Sequence, residues 1–250
     1  MILEEFYVRK IKKRDTISDI GRILSENTNF ETSENYKTLR TSIMFSMPKL
    51  DGGKVIGVTS AIPGEGKSTT VVNLGIAFAQ MGAKVIVLDC DLRKPKVHRY
   101  LQIELGEGMT NAICGFVTLD DVIRKDVQPG LDCVTAGEIP PNAAEVLSSQ
   151  AFSDIIDDLK TKYDYILIDT PPVTVVTDAA VISKRCTAMV LIVKNDYTTY
   201  DMVDEMVKRL NKVQAKIIGF IVTNSDSKRS RYGSYVKRYK YKYGYKYGYK

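Results

Sequence analysis

The chain has 250 residues, 44% of them apolar, which is enough to bury a large core and excludes a wholly disordered polymer. Its net charge of +6 is uneven: nine Lys or Arg and no acid lie between Lys228 and Lys250, so removing that +9 leaves −3 and excludes a basic nucleic-acid footprint over the body. Four dispersed cysteines (Cys90, Cys114, Cys133 and Cys186) with a single histidine, His98, exclude a close-spaced structural zinc site and fit a reduced cytoplasmic setting. In chain order, residues 1–15 lack the apolar run of a signal peptide, and no stretch reaches the roughly 20 apolar residues of a membrane span. Residues 16–48 read as two helices, the second opening at Ser33 and running toward Met47. Tyr36, Leu39, Ile43 and Met47 share one face of it, and Glu34 and Lys37 another.

From residue 54 onward short β-branched runs alternate with amphipathic stretches, the pattern of an α/β fold with a mostly parallel twisted sheet and helices on both faces, and Gly64-Glu-Gly-Lys-Ser68 between its first strand and the helix that follows marks it as a P-loop NTPase. The expected strands are Lys54–Ser60, Lys84–Asp89, Leu131–Thr135, Tyr165–Asp169, Ala188–Lys194 and Lys216–Asn224. Helices are expected over Lys67–Met81, Ala143–Lys162 and Tyr200–Val213. The expected organisation is a helical extension over 1–50, a core over 51–227 and a disordered tail over 228–250.

Ala61-Ile-Pro-Gly-Glu-Gly-Lys-Ser68 follows an expected strand and opens an expected helix, the context that makes a Walker A pattern a phosphate site. The backbone of Gly64, Glu65, Gly66 and Thr69 would cradle phosphates at the helix N-terminus, Lys67 would bridge the β and γ phosphates, and Ser68 would bind Mg²⁺. Ala61 replaces the usual first glycine, which is tolerable where φ stays negative. Two further apolar runs end in acids, at Asp89 with Asp91 two residues on, and at Asp169 before a proline pair. Strand-end acids on the ligand edge of a doubly wound sheet suit phosphoryl transfer from Mg-ATP, with Asp89 and Asp169 at the metal and Asp91 or Asp89 as the base. Sequence leaves those two equivalent.

The tail adds eight tyrosines: Tyr232, Tyr235, Tyr239, Tyr241, Tyr243, Tyr245, Tyr247 and Tyr249. With Val236 as its one aliphatic residue, the segment lacks the apolar surface to order itself. About five phosphotyrosines would cancel its positive charge.

Taken together, the P-loop, the Asp89/Asp91 motif, the Asp169 motif and the tyrosine tail resemble the bacterial protein-tyrosine kinases of capsule and exopolysaccharide biosynthesis, in their free-standing Gram-positive form. The resemblance implies ATP and Mg²⁺ as cofactors and tail autophosphorylation by neighbouring subunits of a ring. It also implies a membrane-spanning activator with a cytoplasmic segment, a tyrosine phosphatase and other protein substrates as partners, and a cytoplasmic location at the inner face of the membrane. A family helix motif, Glu-x-x-Arg-x-x-Arg, corresponds here to Glu34, Lys37 and Arg40. Lysine at the middle position loses the planar donor fork of arginine. Asn224 resembles the position that recognises adenine in related ATPases, and Gly137–Asn142 a segment near the family's active site.

Two other readings stand beside this one. A septum-positioning or partitioning ATPase shares the fold but carries a signature lysine where this chain has Ile62. A basic, aromatic tail also suits single-stranded nucleic acid or anionic lipid, although no specific nucleic-acid site is expected.

Overall fold

The computed structural model describes residues 21–48 and 51–224. The eight tail tyrosines, the expected tail boundary at 227/228 and residues 1–20 of the expected extension lie outside these residues. Among them, one sheet contains β1 (Lys54–Ser60), β2 (Val85–Asp89), β3 (Arg124–Gln128), β4 (Leu131–Val134), β5 (Tyr165–Asp169), β6 (Ala188–Lys194) and β7 (Ile217–Thr223), in the spatial order β3-β4-β2-β5-β1-β6-β7. Every neighbouring pair is parallel except the β3/β4 hairpin. The central strands β2 and β5 are buried along their whole length, which is why they read as continuous apolar runs rather than alternating ones.

Helices cover both faces. Helix α1 (Phe30–Ser46) and α2 (Lys67–Ala79) lie on one, where Ile43, Leu74 and Phe78 pack with Ile56, Val87 and Leu167. Short α3 (Val97–Tyr100), α4 (Met109–Ile113) and α5 (Leu119–Val122) follow β2. On the opposite face α4, α6 (Ala143–Ser148) and α7 (Gln150–Lys162) set Met109, Leu147, Phe152 and Ile156 against Ile86, Leu88, Ile166 and Ile168. Beyond α8 (Asp178–Ser183), α9 (Tyr200–Lys212) covers Met189 and Leu191 with Met206 and Leu210.

The expected helix over 143–162 is two helices. Ser149, at φ −67° and ψ 159°, leaves the helical region, ends α6 and caps α7 by accepting the Phe152 amide at 3.2 Å. Ser149→Ala is expected to remove about 1 kcal/mol of stability, measurable by urea unfolding. Helix α1 begins at Phe30 rather than Ser33, because Asn29 accepts the Thr32 amide at 2.8 Å and caps it first. The helix expected ahead of it is not formed in its described part, where 21–28 are turns and extended chain. Strand β3 has no counterpart in the expectations, since Arg124-Lys-Asp-Val-Gln128 is an edge strand of half-buried and exposed residues in which only Val127 is apolar.

The N-terminal segment packs onto the core. Leu24 donates its amide to Asn73 Oδ1 at 2.8 Å, and Asn73 Nδ2 donates to the Arg22 carbonyl at 2.9 Å. Tyr36, Leu39, Ile43 and Met47 form the packed face of α1, as their spacing implies. Arg40 donates from Nη1 to the Ala77 carbonyl at 2.7 Å, at the C-terminal turn of α2. Glu34 and Lys37 are exposed and pair with each other at 2.7 Å.

Candidate active site

Strand β1 delivers the chain to the phosphate loop at the C-terminal edge of the sheet, between β5 and β6. Gly64 and Gly66 hold φ of +88° and +96°, conformations that L side chains resist, and Gly66 is the N-cap of α2. Ala61 is fully buried and keeps a negative φ, so its replacement of glycine carries no backbone strain. Lys67 and Ser68 open α2 and are almost wholly buried. Two cavities flank the loop. The larger, about 910 Å³, is walled by residues of 21–29 with Gly64, Gly66, Thr69, Lys194 and Asn224. The smaller, about 280 Å³, is lined by Lys67, Ser68, Thr69, Asp91, Lys94 and Lys96 among others.

The expected acids do converge. Asp89 and Asp169 are register partners on adjacent strands, and both are fully buried. Burial, and secondarily the charge of Asp169, push the Asp89 carboxyl well above its usual range. Asp89 is nevertheless occupied: Oδ2 accepts the Lys96 and Val97 amides at 3.1 and 3.0 Å, and Oδ1 the Asp91 amide at 3.3 Å. It therefore anchors the 91–97 loop. Both oxygens of Asp169 are buried without a hydrogen-bond partner. Burial raises that carboxyl to about 6, against the pull of the Lys67 ammonium and the nearby Ser68 hydroxyl. Two orphaned oxygens beside a serine at a phosphate loop are what a hydrated divalent cation would satisfy, so Ser68 and Asp169 fit Mg²⁺. Among the described residues no three carboxylate, His or Cys side chains cluster, so phosphate and water oxygens would have to supply the other ligands.

Asp91 faces the smaller cavity. Its carboxyl is raised by burial, opposed by the Lys94 amide, at 3.1 Å from Oδ1, and by Lys67. The structure thus separates two acids that sequence leaves equivalent: Asp89 holds backbone, and Asp91 lines the pocket that Lys67 and Ser68 enter. His98 is half-buried, with burial lowering its pKa, and lines neither cavity. Asn224 has a φ of +58° and donates to the Asn195 carbonyl at 3.4 Å.

Sequence reasoning does not mark the partner of Arg93. Its guanidinium grips the fully buried Asp178 at 2.8 and 3.1 Å, tying the loop after β2 to the first turn of α8. Nothing in the spacing of the two residues, 85 apart, signals that contact. Arg93→Ala would leave a buried carboxylate unpaired and is expected to cost about 1.5–3 kcal/mol in chemical unfolding.

A family model described as an AAA domain matches residues 53–222. The tyrosine-protein kinase YwqD of Bacillus subtilis (strain 168) is 36% identical over 204 residues, spanning 81% of this chain and 86% of that protein. The solved chimerical protein CapA2B2 has a TM-score of 0.76 at 34% identity and covers 81% of this chain and 88% of its own. The septum site-determining protein MinD from Pyrococcus horikoshii OT3, complexed with Mg-ADP, has a TM-score of 0.59 at 24% identity over 68% of this chain and 70% of its own, a likeness of fold alone. Some kinase relatives are longer, and the chain spans 28% of two of them. With its phosphate loop, its paired strand-end acids and a tyrosine-protein kinase relative matched over most of both chains, the chain belongs to the AAA domain family and to the bacterial tyrosine-protein kinases.

Proposed function

We propose that the chain transfers the γ-phosphoryl group of ATP to tyrosines of its own tail, between Tyr232 and Tyr249, within a homo-oligomer, and so regulates capsular or extracellular polysaccharide synthesis and export. The observation that carries this reading is Asp91, which lines one small pocket with Lys67 and Ser68. A tyrosine hydroxyl entering that pocket meets a carboxylate that accepts its proton while the oxygen attacks the γ-phosphorus. The bond to the β-phosphate oxygen breaks, and ADP leaves. Lys67 neutralises charge on the transferring group, and the N–H groups of the loop hold the phosphates. Ser68 and Asp169 would hold Mg²⁺, which would supply charge neutralisation to the phosphates.

The partners follow from the same reading. No helix among the described residues is long and apolar enough to cross a membrane, so placement at the inner membrane face rests on a membrane-spanning activator. A tyrosine phosphatase would reset the tail. Oligomer contacts fall to Glu34, Lys37 and Arg40 of α1, of which Arg40 also donates from Nη1 to α2 of its own chain.

The test is mass spectrometry of the tail peptide after incubating concentrated protein with Mg-ATP, beside a Lys67→Met control. Several phosphotyrosines on the parent and none on the control are expected. ATP hydrolysis without tail phosphate would sink the kinase reading and favour a partitioning-type ATPase.

A further inference from the structure

The phosphate loop is fastened from behind. Five successive carbonyls each accept a side-chain hydrogen bond: Ala61 from Thr174 Oγ1, Ile62 from Ser60 Oγ at 2.9 Å, Pro63 from Tyr197 Oη at 3.2 Å, Gly64 from Lys194 Nζ at 3.3 Å, and Glu65 from Thr223 Oγ1 at 2.7 Å. In a trans peptide the C=O and the following N–H point in opposite directions. Pinning the carbonyls of Pro63, Gly64 and Glu65 therefore turns the amides of Gly64, Glu65 and Gly66 the other way, as an anion cradle requires. Converging N–H dipoles repel one another when no anion is present, and one flipped peptide would offer the phosphate an oxygen instead of a donor.

The Glu65 side chain belongs to the same brace. It is fully buried, and its carboxylate accepts the Ile62 amide at 2.7 Å and the Thr198 hydroxyl. Sequence places Glu65 among the nucleotide-binding residues, but its carboxylate faces the scaffold. Three of the pins, Lys194, Tyr197 and Thr198, come from the single turn between β6 and α9. That turn is itself fixed: Lys194 donates its amide to Thr198 Oγ1 at 3.0 Å, Asn195 donates to the Thr223 carbonyl at 2.9 Å, and the Lys194 ammonium lies 4.6 Å from the Tyr197 ring centre.

We propose that the turn from Lys194 to Thr198 is a positioning element for the phosphate loop, in which Tyr197 and Thr198 set ATP affinity by holding the Pro63 carbonyl and the Glu65 carboxylate. Neither residue lines either cavity, so each acts through the loop. The proposal rests on the reading that this loop binds ATP phosphates. It assigns to an exposed tyrosine and a threonine a part in ground-state binding that neither performs by contact.

The test uses the full chain with Thr198→Val, Thr198→Ser and Tyr197→Phe. Mg-ADP affinity is read by titration calorimetry, and KM for ATP and kcat by tail phosphorylation. Thr198→Val, which removes both the donor to the Glu65 carboxylate and the acceptor of the Lys194 amide, is expected to weaken Mg-ADP and raise KM about tenfold, and Tyr197→Phe, which removes one hydrogen bond, about threefold. In both variants kcat at saturating ATP stays within about twofold of the parent, and Thr198→Ser restores affinity. Tyr197 is half-exposed, so its phenylalanine variant keeps the test valid should Thr198→Val not fold. Parental affinity in Tyr197→Phe and Thr198→Val, or an equal loss in Thr198→Ser, overturns the proposal. A parent chain that does not bind Mg-ADP overturns the nucleotide reading and this proposal together.

Discussion

Asp91→Asn is expected to lower tail phosphorylation at saturating Mg-ATP by about 10²–10⁴-fold, the range for losing a positioned base, with Mg-ADP affinity and melting temperature close to the parent's. Asp91 lines the pocket with Lys67 and Ser68 and holds the backbone amide of Lys94 within its own turn. Asparagine keeps the carbonyl for that contact and loses the negative charge, and with it the capacity to take a proton. Asp89→Asn should behave differently, because Asp89 accepts three backbone amides from residues 91, 96 and 97 and is fully buried. Its amide can satisfy fewer of them, so a loss of about 1.5–3 kcal/mol in urea unfolding should accompany its loss of turnover. Turnover and thermal denaturation measured on both variants separate the roles. A fully active Asp91→Asn, or an Asp89→Asn that is inactive yet as stable as the parent, would reverse the assignment.

The sheet was legible because its inner strands are rich in β-branched residues, and β2 and β5 end in acids. The expected Lys54–Ser60, Tyr165–Asp169 and Ala188–Lys194 coincide with β1, β5 and β6. An edge strand escapes that logic: β3 buries little, so its residues carry no apolar period to read. The division at Ser149 escapes it for another reason. Serine is tolerated within a helix and favoured at its start, and only the backbone at ψ 159° shows which role it takes. At the site, motif spacing locates Lys67, Ser68, Asp89, Asp91 and Asp169, since a strand-to-helix loop fixes where its neighbours must be. What spacing cannot supply is occupancy of hydrogen-bond capacity. That Asp89 is occupied, Asp169 is open and Glu65 faces away from the phosphate all depend on long-range partners such as Val97 and Thr198.

Phe78→Ala is expected to cost about 3–5 kcal/mol and to lower the melting temperature by roughly 10 °C. Phe78 is fully buried near the C-terminal end of α2, with its ring centre 4.2 Å from that of Tyr165 on β5. Truncation opens a cavity between the helix that begins with Lys67 and the strand that ends with Asp169, and it sits one residue from the Ala77 carbonyl that receives Arg40. Phe78→Leu, which keeps most of the volume, should cost less than about 1.5 kcal/mol. The phosphate loop lies at the other end of α2, so Mg-ADP at 100 times its dissociation constant should stabilise parent and Phe78→Ala alike, by about 2.7 kcal/mol. Thermal melts with and without Mg-ADP read both quantities. An equal ligand-induced shift means that α2 transmits no packing defect to its first turn. A lost shift in the alanine variant would mean that helix packing and the geometry of Lys67 and Ser68 are a single cooperative unit.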